Sequence, residues 1–285
     1  MMMKRLAPGI AFLILLFGSL QHLASATQAA VPAATPVPTP TPIPSVEILE
    51  MPRGAKIAET AHFEFYEADG YFPVDVGRFS LRAEAIYAEL RAAVGGSLDE
   101  KIQLSFRPPD LSPCPVRGYA AGLQTVIYAD NPVSSAYLFG VLSHEIVHVL
   151  HTQVFQLSPY TALNEGFAVW IARDYWNVWQ QSLSLQTSIR RYLRTDVYIP
   201  LGQDLNLSQA YTGEDCLTVR DILYTEWGAF TGYLIEVYGF EKLQKLWRSG
   251  EPPALPNFTA VYGLTLRQLE TDWLRSVRKT SEGVS

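Results

Sequence analysis

Residues 144–148, His144-Glu145-Ile146-Val147-His148, are the most constraining stretch of this 285-residue chain. On an α-helix, side chains four residues apart lie on one face, so the two imidazoles can reach one metal ion while Glu145 lies beside it. A zinc ion that keeps one position open for water takes three protein ligands, so the pattern predicts a third ligand elsewhere. Glu165, with sixteen residues between it and His148, is the candidate.

The sequence around this motif predicts a buried helix. Ser134 and Ser135 form a helix start, and an apolar pattern then continues to about Phe155. Buried imidazole and carboxylate groups are costly unless something pairs with them, and one metal ion pairs with all three. The alternative is that the two histidines are ordinary neighbours on a helix face.

His151 lies on the same stripe of this helix, one turn beyond His148. Three histidines of one straight helix rarely converge on one ion, because the ion lies beside a single turn. We therefore expect His151 to support a ligand from behind or to be an ordinary helix-face residue.

Residues 163–168, Leu163-Asn164-Glu165-Gly166-Phe167-Ala168, resemble the block that carries the third zinc ligand in gluzincin metallopeptidases. The aminopeptidase N group and the peptidase MA-like family are examples, and the resemblance covers roughly residues 62–279. It implies Zn²⁺ held by His144, His148 and Glu165. It also implies hydrolysis of a peptide or protein substrate, with Glu145 as general base for a metal-activated water. The alternative for Glu165 is an ordinary glutamate at a helix start.

Tyr224 is a second residue to which the resemblance gives a role. In Leu223-Tyr224-Thr225-Glu226-Trp227-Gly228 it is similar to the gluzincin tyrosine that stabilises the oxyanion of the tetrahedral intermediate. The glycine here comes one residue later than in the family pattern. The alternative is a phenol that packs at a helix start.

The periodicity of apolar residues predicts an α+β fold. Alternation predicts strands at residues 62–66, 102–106 and 119–128, and helical spacing predicts a helix at residues 74–94. The following part is predicted to be mainly helical, with helices at residues 162–176, 219–238, 241–248 and 264–279. This order resembles a zincin, with an N-terminal mixed-sheet lobe, the active-site helix and a C-terminal helical lobe.

The last predicted strand, residues 119–128, resembles the zincin edge strand to which a peptide substrate adds. This implies that Gly122 and Gln124 line the substrate site. Aminopeptidases of the related group carry a glutamate there to bind the substrate amine, whereas this chain has Gln124, which favours an endopeptidase. An aminopeptidase, a surface protein that binds zinc without hydrolysis, and a helical protein without metal are the alternatives.

The N-terminal region predicts export to the cell surface or the medium. Residues 1–26 combine basic and apolar segments with Leu23-Ala24-Ser25-Ala26, which is typical of a cleaved signal peptide. An uncleaved N-terminal anchor is the alternative, and it would be the only contact with a membrane. Residues 27–45 form a linker rich in proline and threonine, and residues 46–285 are predicted to form the peptidase domain.

Only two cysteines are present, Cys114 and Cys216, and export favours one disulfide between them. Two unpaired, small apolar residues are the alternative. The net charge of −6, without a basic cluster, argues against nucleic acid as a partner.

Overall fold

A five-stranded mixed sheet forms the N-terminal part of the computed structural model, which describes residues 54–68, 70–155, 157–203, 205–250 and 256–279. The predicted signal peptide and linker lie outside the described residues. The strand order in the sheet is β1-β2-β3-β5-β4. The strands are β1 (Lys56–Glu59), β2 (Phe63–Glu67), β3 (Ile102–Arg107), β4 (Gly118–Ala121) and β5 (Gln124–Tyr128).

The single strand predicted over residues 119–128 is wrong. Those residues form a hairpin, in which β4 runs antiparallel to β5 and Ala121 pairs with Gln124. Gly122 begins the two-residue turn with a φ of 60°, a conformation that glycine adopts without steric cost. Strands β2, β3 and β5 run parallel, so β4 rather than β5 is the edge strand at this side of the sheet.

Nine helices follow or join these strands within the described residues. The predicted helix over residues 162–176 is divided at Ala172, which ends one helix and begins the next. Strand β1 and two short helices, at Leu185–Arg194 and Phe258–Tyr262, were not predicted. The helices are α1 (Val76–Val94), α2 (Ser135–Val154), α3 (Thr161–Ile171), α4 (Arg173–Trp179), α5 (Leu185–Arg194), α6 (Cys216–Tyr238), α7 (Phe240–Trp247), α8 (Phe258–Tyr262) and α9 (Leu266–Lys279).

Aromatic side chains join α1 and α2 to the sheet. Phe79 of α1 packs edge-on against Phe65 of β2 and Phe106 of β3, with ring centroids 5.8 Å and 5.2 Å away. It also stacks on Phe139 of α2 at 6.3 Å. Helix α2 is therefore attached to the sheet through buried apolar surface, which is the main favourable term in folding.

Helices α3 and α6 cross closely because glycines lie on both sides of the contact. A Cβ atom at Gly166 would lie 2.7 Å from the Trp227 carbonyl oxygen, and one at Gly228 would lie 2.3 Å from Val169 Cγ1. A Cβ atom at Gly232 would lie 2.3 Å from Trp170 Cε3. Any larger residue would therefore separate α3, which carries Glu165, from α6, which carries Tyr224.

Within the described part of the chain, no helix has the length and apolar character to cross a bilayer.

Candidate metal centre

Helix α2 carries both histidines of the motif. It begins at Ser135. Ser134 caps its N-terminus, because the Ser134 hydroxyl oxygen accepts a hydrogen bond from the Tyr137 amide at 3.2 Å. His144 and His148 lie one turn apart, with ring centroids 4.7 Å from each other. The helical spacing thus turns both rings toward the same point.

Glu165 of α3 completes a group of three ligand atoms. Its Oε2 atom lies 3.0 Å from His144 Nε2 and 3.2 Å from His148 Nε2, and the two imidazole nitrogens are 3.0 Å apart. These atoms lie on a circle of radius roughly 1.8 Å, which is smaller than the roughly 2.0–2.1 Å ligand distance of zinc, so one ion can contact all three. His144, His148 and Glu165 form a group that can hold a metal ion.

The charges of the three side chains are strongly coupled. Burial alone would raise the pKa of Glu165, but the charge of His148 and hydrogen bonds from both imidazoles hold it below its usual range. Burial alone would lower the pKa of His148, but Glu165 raises it to about 9. Burial lowers the pKa of His144. The site therefore holds one cation beside one carboxylate, and a metal ion would replace the proton of His148.

Glu145 lies beside this triad and against the edge strand. Only 6% of its surface is exposed, and burial raises its pKa to about 8. A Cβ atom at Gly118 of β4 would lie 2.9 Å from Glu145 Oε1 and 2.8 Å from a Val141 methyl group. Glycine at the start of β4 therefore allows the edge strand to approach the carboxylate.

Tyr224 of α6 packs against His144. The two rings stack with centroids 5.7 Å apart and an angle of 16° between their planes. The Tyr224 hydroxyl forms a short hydrogen bond with that of Tyr211, at the end of the 3-10 turn Ser208–Tyr211. Burial raises the pKa of both phenols, so both are hydrogen-bond donors at neutral pH.

A cavity of about 690 Å³ opens onto these groups. Strand β4 forms one wall of it, and Trp176 and Trp179 of α4 contribute aromatic surface. The Trp176 indole nitrogen donates to Thr225 Oγ1 at 3.1 Å, which holds α4 against α6. Arg117 lies over the Trp179 ring at 4.7 Å, and both its terminal nitrogens contact the Asp221 carboxylate.

The structure gives different positions to the two predicted substrate-lining residues. Gln124 lines the cavity from β5. Gly122 is in the turn beyond the end of β4, where a Cβ atom would meet no other atom within 4 Å, and it is not among the described cavity-lining residues. The hairpin thus places Gly122 in a turn rather than within a strand, and its role in substrate binding stays a prediction.

His151 is fully buried in an aromatic cage and does not join the triad. Its ring centroid lies 4.5 Å from that of Trp247 and 4.8 Å from that of Phe167. Neither ring nitrogen has a hydrogen-bond partner among the described residues, so His151 supports no metal ligand through such a bond.

Cys114 and Cys216 form a disulfide between the loop before β4 and the start of α6.

Sequence reasoning missed Tyr211, Arg117 and Arg220, which also line the cavity. Arg117 lies in the loop before β4, Tyr211 at the end of the 3-10 turn and Arg220 near the start of α6, where no periodic pattern marks a side chain that turns toward a site. Only the contact of the 3-10 turn with α6 brings Tyr211 to Tyr224. No protein-family model and no curated protein matches the sequence.

Proposed function

We propose that this protein is a zinc-dependent peptidase of the gluzincin kind, with a zincin-like fold, that hydrolyses internal peptide bonds. One observation carries the proposal: two imidazole nitrogens and a carboxylate oxygen lie within 3.2 Å of one another, in the same cavity as the buried carboxylate of Glu145. Three ligands leave a fourth position open, which distinguishes a catalytic zinc site from a structural one.

The residues of the cavity have different roles in hydrolysis. A bound zinc ion supplies a Lewis acid and lowers the pKa of a bound water to about 7. Glu145 accepts a proton from the attacking water and returns it to the leaving amine. Burial raises the pKa of Glu145 in the metal-free site, and a bound cation nearby would lower it again, so that the ionised carboxylate is available as the base near neutral pH. Tyr224 donates a hydrogen bond to the carbonyl oxygen as negative charge develops on it.

The edge strand favours a peptide as the substrate. Strand β4 pairs with β5 on one side and has no second strand partner among the described residues. An extended peptide can form main-chain hydrogen bonds with such an edge, and the cavity opens beside it. Because Gly118 brings β4 close to Glu145, a peptide on this edge would pass the catalytic carboxylate.

The charges of the cavity favour an endopeptidase over an aminopeptidase. Among the described residues that line it, Glu145 and Glu165 are the only carboxylates, and both belong to the catalytic group. A third carboxylate is what would bind the free amine of an N-terminal residue. The predicted signal peptide further favours secreted or cell-surface protein substrates.

A pair of glutamine variants tests the proposal. Glu145→Gln keeps the three metal ligands, so we expect full zinc content by elemental analysis and a loss of casein hydrolysis of roughly 10²- to 10⁴-fold. Glu236→Gln, on the exposed face of α6, is the matched control and should retain full activity. His148→Ala should lose zinc and activity together.

Three results would contradict the proposal in different ways. Equal hydrolysis by the wild-type protein and Glu145→Gln would remove Glu145 from the chemistry. Zinc-loaded wild-type protein that cleaves no peptide would instead favour a protein that binds zinc without hydrolysis. Faster release of amino acids from aminoacyl chromogenic substrates than internal cleavage of casein would identify an aminopeptidase.

A further inference from the structure

Tyr211 is a second phenol in the candidate active site. It lies at the end of the 3-10 turn Ser208–Tyr211 and lines the cavity beside the metal group. Its side chain hydroxyl is hydrogen-bonded to that of Tyr224. Tyr211 retains 41% of its surface exposed, whereas Tyr224 retains 8%. The pair thus has one buried member against His144 and one member at the cavity surface.

Arg220 holds Tyr211 in this position. The guanidinium group lies over the Tyr211 ring, 4.7 Å from its centroid. Its Nε atom donates to the carbonyl oxygen of Ala210 at 2.9 Å, and Nη1 donates to that of Pro115 at 2.7 Å. Because Arg220 is only 4% exposed, these contacts fix the 3-10 turn against α6.

Either hydroxyl of the pair could donate the hydrogen bond, and the surroundings of the two rings favour one direction. A hydroxyl has one hydrogen, so one phenol of the pair donates and the other keeps its own hydrogen for a third group. The Arg220 cation over the Tyr211 ring withdraws electron density and makes Tyr211 the better donor. Tyr224, whose ring stacks on the ligand His144 and which lines the cavity, then keeps its own hydrogen for a third group.

We infer that Tyr211 is a positioning residue, which donates its hydrogen bond to Tyr224 and so directs the Tyr224 hydrogen toward the substrate oxygen. This inference rests on the proposed peptidase function. It extends the oxyanion donor from a single tyrosine to a hydrogen-bonded pair whose outer member is anchored by Arg220. Preorganised donors of this kind lower a barrier because they need no reorientation during the reaction.

Phenylalanine variants in a double-mutant cycle test the inference. We expect Tyr211→Phe to lower kcat by roughly 5- to 30-fold, which corresponds to one hydrogen bond, with KM and zinc content unchanged. Tyr224→Phe should lower kcat further, by roughly 10²-fold or more. The double variant should be no slower than Tyr224→Phe alone, because Tyr211 acts only through Tyr224.

Binding of a phosphinic peptide, measured by calorimetry, gives a second reading of the same cycle. Its tetrahedral phosphorus mimics the geometry that forms during hydrolysis, and Tyr211→Phe and Tyr224→Phe should weaken its binding in the same order as kcat. Tyr66→Phe is the matched control: it removes a phenol hydrogen bond of 2.6 Å to Glu64 on the sheet, far along the chain from the cavity residues, and should change neither quantity.

Several results would overturn the inference. Unchanged kcat and unchanged phosphinic-peptide binding in Tyr211→Phe would do so, as would additive losses in the double variant. A greater loss in Tyr211→Phe than in Tyr224→Phe would make Tyr211 itself the donor to substrate. Wild-type protein that binds the phosphinic peptide without cleaving peptides would contradict the proposed function, while the binding cycle would still decide the inference. Equal melting temperatures exclude loss of folding as the cause.

Discussion

Substituting His151 with leucine should make the protein more resistant to acid. The His151 imidazole is fully buried between Phe155, Phe167 and Trp247, and neither ring nitrogen has a partner among the described residues. Burial lowers its pKa to about 3. Leucine has a similar volume and no polar atom, so it suits an apolar cage better than an imidazole does.

The size of the effect follows from the difference between the folded and unfolded pKa values. The unfolded imidazole binds a proton below its ordinary pKa of about 6.5, whereas the folded one stays neutral until about pH 3. Across that window the unfolded state binds more protons, so His151 lowers the free energy of unfolding as pH falls, by up to about 1.4 kcal/mol per pH unit. Between pH 7 and pH 5 the loss amounts to about 2 kcal/mol, and it is absent in His151→Leu.

Urea unfolding of both proteins, followed by circular dichroism between pH 5 and 8, measures this difference. A chelator should be present throughout, so that release of metal in acid does not contribute. All other titrating groups are common to the two proteins, and the difference in unfolding free energy therefore isolates His151. We expect the difference in unfolding free energy between His151→Leu and the wild-type protein to increase by about 2 kcal/mol from pH 7 to pH 5. A difference in unfolding free energy that stays constant with pH would refute the burial of an unpartnered imidazole.

Three further predictions concern the site and the elements that support it. Gly166→Ala should lower stability by roughly 1–3 kcal/mol and weaken zinc binding, because its Cβ would lie 2.7 Å from the Trp227 carbonyl oxygen. Gly202→Ala, where no atom lies within 4 Å, is the control, and equal melting temperatures of the two variants would contradict the close α3–α6 contact. Replacing Cys114 and Cys216 by serine should lower the free energy of unfolding in urea by about 4–5 kcal/mol, since the disulfide spans a separation of 102 residues. A loss under about 1 kcal/mol would argue against a disulfide between them. Zinc affinity, measured by competition with a chromophoric chelator, should rise about tenfold per pH unit from pH 6 to 8, because the metal displaces the His148 proton whose pKa is about 9, and an affinity independent of pH would contradict that coupling.

The periodic elements of the fold could be predicted from the sequence, but turns and breaks could not. The spacing of apolar residues predicted α1 and α6 to within a few residues. It did not predict the hairpin at Gly122, because apolar alternation continues through a two-residue turn. Nor did it predict the break at Ala172, since a single non-helical residue leaves helical periodicity on both sides intact.

The chemistry of the metal group was determined by the sequence itself. His144 and His148 share a helix, so their separation of one turn follows from local geometry, and Glu165 lies near the start of the next helix. The tertiary structure decided everything that depends on contacts between distant segments. It brought Tyr211 to Tyr224, placed β4 rather than β5 at the sheet edge, and enclosed His151 in the core. Local spacing specifies which side chains can share a helix face, whereas packing between elements specifies which of them meet.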